Sequence, residues 1–239
     1  MVALAAQAGL DAIEWGGDVH VPPGDLPLAR QVRAMTEAAG LRVSSYGSYY
    51  RVGCDTNFSS VLDTAEALDA PSIRIWAGRV GSSEADDESY RRIVEETGRL
   101  ADQSRQRGIG LSFEFHDGTL ADNASSSVAL IRSIAGDNVS LYWQPQIGLS
   151  PEKNLAALTA FLPWLSNVHV FQYDKSRRQQ PLEAGEAAWR SYLDVLRNVE
   201  KPRYLLLEFV KDEDIGQFLK DAATLKKFVR HVREDGAGR

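Results

Sequence analysis

The sequence predicts an α/β protein of the (β/α)8 TIM-barrel type, formed by a single domain over residues 1–239. This prediction rests on a junction that recurs along the chain: an amphipathic helix, a glycine, and then a short apolar strand. Gly9, Gly40 and Gly108 each stand at such a junction. A glycine directly after a helix supplies the left-handed turn that ends it. Strands that alternate with helices, without a flexible linker between them, indicate a parallel sheet with crossover helices.

Seven segments have the pattern of strands, and a helical pattern follows each of them. The predicted strands are residues 12–15, 43–46, 72–76, 111–116, 139–144, 168–172 and 204–210. The predicted helices are residues 26–39, 56–69, 84–107, 125–135, 152–163, 186–198 and 213–232. A closed barrel of this type has eight strands. Because the chain begins inside a helix, we expect either a start codon placed too late or a barrel that is open between its first and last strands.

The two faces of each predicted strand differ in the same way. In the strand that ends at His116, Leu111 and Phe113 share one face, whereas Ser112 and Glu114 lie on the other. An open parallel sheet is covered by helices on both sides and is apolar on both faces. Polar groups on the second face therefore indicate a barrel interior with a wet pocket at its upper rim. The side chains expected there are Glu14, Arg74, Glu114, His116, Gln144, His169 and Glu208.

These polar residues allow two interpretations. Arg74 with Glu14 or Glu114 could be a structural ion pair inside the barrel, without a chemical role. Glu114, His169 and Glu208 would repel one another or lie unsatisfied if they were crowded together without a cation. The second group therefore favours a metal site.

Four short motifs carry a resemblance to a known family. They are Glu114-Phe-His116, Gln144-Pro145, Val168-His-Val170 and Leu207-Glu-Phe209. They resemble the four metal-ligand positions of the xylose-isomerase-like TIM-barrel superfamily. Two longer segments, residues 13–23 and 44–50, resemble its sugar phosphate isomerase/epimerase group. This resemblance implies that Glu114, Gln144, His169 and Glu208 hold a divalent metal ion, Mn²⁺ or Mg²⁺ in the first place and Co²⁺ or Zn²⁺ as alternatives.

The same resemblance implies roles in catalysis and substrate binding. Glu114 and Glu208 would be the acid/base pair that exchanges protons with a sugar-like small-molecule substrate through an enediolate. The residues expected to contact substrate are His116, His20, Trp15, Trp76, Glu14 and Arg74, and Lys175 or Arg177 would hold a phosphate or carboxylate.

The chain departs from the family pattern at the second ligand. Most members carry Asp there and a His shortly after it, whereas this chain has Gln144-Pro-Gln146. The change removes one negative charge, so metal affinity should fall and Gln144 could instead bind substrate. Three functions stay open: a metal-dependent isomerase or epimerase of a small sugar, polyol or sugar derivative; a dehydratase of the inosose type; and a degenerate sugar-binding barrel without activity. Four histidines in the whole chain are too few for the three-zinc site of an endonuclease-IV-like enzyme.

Composition argues against several classes of partner. A net charge of −6 disfavours a nucleic-acid partner. Cys54 is the single cysteine, which excludes an internal disulfide and fits a reducing compartment. The sequence has neither an apolar run long enough for a membrane span nor the basic start of a signal peptide. We therefore expect a cytoplasmic protein without a membrane partner, and we leave a homodimer open.

Overall fold

Seven parallel strands form one sheet that curves into a nearly closed barrel. The computed structural model describes residues 1–197 and 203–237, with the side chains of 231–237 excepted. The strands are β1 Ala12–Gly16, β2 Arg42–Arg51, β3 Ser72–Trp76, β4 Gly110–Phe113, β5 Val139–Trp143, β6 Leu165–Val170 and β7 Leu205–Leu207. The helices are α1 Val2–Gln7, α2 Leu26–Ala38, α3 Phe58–Leu68, α4 Asp87–Arg105, α5 Ala124–Ser133, α6 Pro151–Phe161, α7 Glu186–Leu196 and α8 Ile215–Ala237, with 3₁₀ turns at Leu182–Gly185 and Lys211–Glu213.

Each strand pairs in parallel with the next strand along the chain. Within the described residues no ladder joins β1 to β7, so these two strands are the edges of the sheet. The structure therefore confirms the α/β barrel and its seven strands. Residue 198, at the end of a predicted helix, lies outside the described residues.

Of the seven strands β3 alone has its predicted bounds: β1 and β5 differ by one residue at their ends, whereas β2, β4, β6 and β7 differ by more, and β4 ends at Phe113 and not at His116. β6 begins earlier than expected because the Leu141 amide donates to the Trp164 carbonyl, which extends the ladder with β5 backwards. It ends at Val170, since the next carbonyl, that of Phe171, accepts from the Trp189 indole instead. β2 runs on to Arg51 through an irregular pairing with β3. β7 has only three residues where seven were expected.

The helices form the outer layer because their apolar sides are buried against the sheet. Capping side chains define where most of them begin. In six of them a side-chain oxygen at the N-cap accepts an amide of the first turn, which satisfies a donor that the helix leaves unpaired. These caps are Asp25, Asn57, Asp86, Asn123, Ser150 and Asp214. Leu111 and Phe113 of β4 are fully buried on the helix side. Within the ranges described, no helix combines the length and apolar character that a membrane span needs.

Candidate active site

Three side chains of the metal-ligand type meet at the carboxyl end of the barrel. Glu114 follows β4, His169 lies in β6 and Glu208 follows β7, so the parallel strands carry all three to the same rim. One ligand atom from each lies within 4.8 Å of the others. The side chains of Glu114 and His169 are buried, whereas that of Glu208 is 26% exposed. The geometry could hold one metal ion.

Gln144 joins this cluster through its amide oxygen. Its Oε1 lies 2.8 Å from Nδ1 of His169, while its Nε2 donates to the Phe115 carbonyl at 2.9 Å. The carbonyl accepts only from the amide nitrogen and therefore directs the amide oxygen towards the histidine. Glu208 Oε2 and Glu114 Oε1 lie 3.3 and 3.7 Å from the same Nδ1. Three oxygens from three different loops thus surround one imidazole nitrogen.

The chemistry of these donors fits a divalent metal ion. Within the described part of the chain, Glu208 Oε2 is buried and makes no hydrogen bond, although His169 is close. Burial raises the pKa of Glu208, and the neighbouring Glu114 carboxylate raises it further. A buried carboxylate oxygen without a donor is costly, and a cation would satisfy it. Carboxylate, amide and single-imidazole ligands together suit a hard to borderline cation.

A buried arginine fixes Glu114 from the other side. Arg74 of β3 donates from Nη1 to Oε2 of Glu114 and from Nε to Oε1 of Glu14, the latter at 3.0 Å. The Trp76 indole donates to the same Glu114 Oε2 at 2.6 Å. Two donors therefore occupy one oxygen of Glu114 and leave Oε1 facing His169. Both ion pairs considered from the sequence, Arg74 with Glu14 and Arg74 with Glu114, are present.

Glu14 of β1 lies on the far side of the His169 ring. Its Oε2 accepts from Ser45 Oγ at 2.6 Å and from the Tyr142 hydroxyl at 2.9 Å, and its Oε1 lies 3.6 Å from His169 Nε2. Burial opposes ionisation of Glu14, but Arg74 and His169 outweigh it and hold its pKa well below the usual range. Burial likewise lowers the pKa of His169, yet the carboxylates of Glu208 and Glu14 raise it overall. The network is therefore charged on both sides of the imidazole.

The other predicted site residues divide into two groups. His116 and Trp76 stack beside Glu114 at 4.3 Å between ring centroids, and the Arg51 guanidinium covers the second face of the indole. Trp76 thus lies at the rim beside Glu114, and its contact with substrate stays a prediction.

The second group is not brought to the cluster. Trp15 is buried on the helix side, where its indole donates to Thr36 of α2, because alternate residues of β1 face opposite ways and Glu14 takes the interior. His20 packs edge-on against Trp15 at 5.6 Å between centroids. Lys175 and Arg177 are exposed on the segment after β6.

Sequence reasoning missed several partners in this network. Tyr142 shares the interior face with Gln144, so alternation along β5 could have indicated it. Ser45 reaches Glu14 because the register between β1 and β2 shifts after Ile13, and no sequence pattern signals that shift.

The family of the chain follows from a comparison of its sequence with protein-family models. The model of the xylose isomerase-like TIM barrel matches residues 2–232. The chain belongs to this family. No curated protein matches the chain in sequence. The family assignment thus agrees with the fold and with the position of the cluster at the carboxyl ends of the strands.

Several solved structures share the fold of this chain at low sequence identity. A probable 3-DHS dehydratase of petrobactin synthesis from Bacillus anthracis is 14% identical over 94% of this chain and 92% of its own, with a TM-score of 0.79. D-psicose 3-epimerase from Clostridium cellulolyticum H10 is 14% identical, with coverages of 97% and 92% and a TM-score of 0.73. A Mycobacterium smegmatis barrel in complex with magnesium is 18% identical, with coverages of 97% and 87% and a TM-score of 0.73.

Gly47 of β2 gives a first test of the packing around Arg74. A Cβ at this position would lie 2.6 Å from Arg74 Nη2 and 3.2 Å from Glu14 Oε1. We expect Gly47→Ala to lower the free energy of unfolding by about 1–3 kcal/mol, measured by urea denaturation. Gly98→Ala is the control, because a Cβ there meets nothing within 4 Å and the helix α4 should gain roughly 0.5–1 kcal/mol. Equal stability of Gly47→Ala and the unchanged protein would contradict the packing described here.

Gln144 gives a second test, through its charge. Gln144→Glu keeps the length of the side chain and adds a carboxylate beside His169, so Mn²⁺ affinity should rise on the order of tenfold by calorimetric titration. The control is Gln146→Glu, which adds the same charge to an amide that contacts the Asp122 carbonyl outside the cluster. An equal gain in both variants would show that general electrostatics, and not ligation by residue 144, sets the affinity.

Proposed function

We propose that the protein is a divalent-metal-dependent isomerase or epimerase of a small sugar, polyol or sugar derivative that transfers a proton through an enediolate. The observation that carries the proposal is the convergence of Gln144, Glu114 and Glu208 oxygens on Nδ1 of His169. Membership of the xylose isomerase-like family and the structural likeness to sugar epimerases support it.

Glu114, Gln144, His169 and Glu208 would hold the metal ion. When bound, such an ion polarises a carbonyl, acidifies the adjacent C–H bond and stabilises the enediolate that forms on its loss. We expect Mn²⁺ or Mg²⁺ in this role, and the magnesium complex of the Mycobacterium smegmatis barrel is consistent with that choice. Gln144 in place of a carboxylate predicts weaker affinity than an all-carboxylate set would give.

The two glutamates of the cluster, Glu208 and Glu114, would differ in how readily they can exchange a proton with the substrate. Glu208 is partly open to solvent, so the oxygen that does not bind the ion could take a proton from a substrate and return it. Glu114 already accepts from Arg74 and Trp76 at one oxygen. Its other oxygen would have to serve both as ligand and as the second base of an epimerase. His116 and Trp76 at the rim would contact the substrate.

A dehydratase is the second candidate function. The structural likeness to the probable 3-DHS dehydratase favours it, and this reaction would use the same proton removal followed by loss of a hydroxyl group. A degenerate sugar-binding barrel would keep the pocket without metal or activity. The isomerase or epimerase and the dehydratase would form different products from the same substrate, and the binding barrel would form none.

Metal binding is tested by thermal unfolding with Mn²⁺, Mg²⁺, Co²⁺ and Zn²⁺. At a metal concentration of about 100 times Kd the folded state should gain roughly 2.7 kcal/mol, which raises Tm. Glu208→Gln should lose most of that gain, whereas Glu213→Gln, an exposed glutamate on the same loop, should keep it. Absence of stabilisation by all four ions in the unchanged protein would refute the metal-dependent function.

Proton transfer is tested by C–H exchange into D₂O with a panel of ketoses and inososes. We expect exchange at the carbon next to the carbonyl for at least one compound and its loss in Glu208→Gln. A product that lacks the elements of one water relative to the substrate would identify the dehydratase. A panel without exchange, from a protein that still binds metal, would favour the binding-only barrel.

A further inference from the structure

Arg74 is buried and Glu14 is only 13% exposed in the barrel interior, but both stand outside the proposed ligand set. Both oxygens of Glu14 are occupied, one by Ser45 and Tyr142 and the other by Arg74. Arg74 in turn has its Nε and Nη1 on carboxylates. Groups engaged in this way cannot turn towards a substrate without losing buried hydrogen bonds, so the substrate contact expected from the sequence does not explain them.

We propose that Glu14 and Arg74 are positioning residues that hold His169 and Glu114 in the orientation in which they bind metal. The inference rests on the proposed function, because it concerns the same metal site. In this role Glu14 and Arg74 act on the ligands and contact neither the substrate nor the metal ion.

Arg74 fixes Glu114 through geometry. Its planar guanidinium reaches Glu14 from Nε and Glu114 from Nη1, and it lies under the Tyr49 ring, with its carbon 4.9 Å from the ring centroid. Glycine at position 47 leaves room for Nη2. Because the second oxygen of Glu114 is held by Arg74 and Trp76, the first oxygen is left 3.7 Å from His169 Nδ1.

Glu14 fixes His169 from the opposite edge of the ring. Its Oε1 faces Nε2 at 3.6 Å, while Nδ1 faces Gln144, Glu208 and Glu114. An imidazole that keeps its Nε2 proton towards a carboxylate presents the Nδ1 lone pair on the other side. The ligand nitrogen is therefore Nδ1, and an ion bound there would replace the proton that Nδ1 donates to Gln144 Oε1 at 2.8 Å.

The charges of the pair allow positioning to be separated from electrostatics. Glu14 and Arg74 together contribute no net charge to the site. If Arg74 acted only as a nearby positive charge, its removal would strengthen the binding of a cation. If it positions Glu114, its removal should weaken binding in spite of the more negative site.

The experiment measures Mn²⁺ affinity of the full chain by calorimetric titration. Arg74→Met should weaken binding by about 10- to 100-fold, the range typical for loss of a partner that orients a ligand. Arg74→Lys should also weaken it, because lysine keeps the charge but cannot form the planar bridge between two carboxylates. Arg79→Met is the control: it removes an exposed positive charge that pairs with Asp55 at 3.0 Å, and its affinity should not fall.

A double variant, Glu14→Gln with Arg74→Met, keeps the test valid if Arg74→Met alone fails to fold, because it leaves no unpaired Glu14 carboxylate inside the barrel. It removes both buried charges together, keeps the net charge, and should bind Mn²⁺ as weakly as Arg74→Met. Mn²⁺ binding as tight as in the unchanged protein, in a folded Arg74→Met or in the double variant, would overturn the inference and leave the proposed function intact. An unchanged protein that binds no divalent ion would overturn both.

Nitrogen NMR of the Mg²⁺-loaded protein gives a readout that does not depend on affinity. We expect His169 to carry its proton on Nε2 and to be shielded by the metal at Nδ1. A proton on Nδ1 in the loaded protein would overturn the assignment of Glu14.

Discussion

The buried guanidinium of Arg74 is the interaction on which the rest of the site depends. It joins β1 to the loop after β4 by pairing with Glu14 and Glu114 inside the barrel. Burial of these charges is costly, and removal of one partner from such a group costs on the order of 3–5 kcal/mol. A chain that retained this network for stability alone could have filled the same volume with apolar side chains. We therefore infer that the network is retained because it holds the charged side chains of a polar site in fixed positions.

The fold could be predicted because local signals repeat along the chain. Gly40 and Gly108 both adopt positive φ directly after a helix, as the prediction required. The alternation that puts Phe113 on one face and Glu114 on the other predicts that the polar residues line the interior of a barrel, and both side chains lie as predicted. The sheet of seven strands agrees with the segments recognised from alternation, because that alternation records which side chains face the helices.

The contacts within the site were less predictable, because they depend on side-chain orientation and strand register. Alternation along β1 predicts that Trp15 faces away from Glu14, and in the structure the Trp15 indole contacts Thr36 of α2. The substrate contact expected for Trp15 came from the family resemblance alone. The orientation of the Gln144 amide depends on the Phe115 carbonyl of a neighbouring strand end, which no local pattern reveals. Trp76 was expected to contact substrate, and its indole N–H is in addition a donor to Glu114.

The proposed function depends on one divalent metal ion, which Glu114, Gln144, His169 and Glu208 would hold at the carboxyl end of the barrel. Anomalous diffraction from crystals grown with Mn²⁺ tests it most directly. We predict a single strong peak bonded to Nδ1 of His169 and to oxygens of the other three residues, with Glu14 and Arg74 outside the coordination sphere. A peak at another place, or ligation by His169 through Nε2, would contradict it.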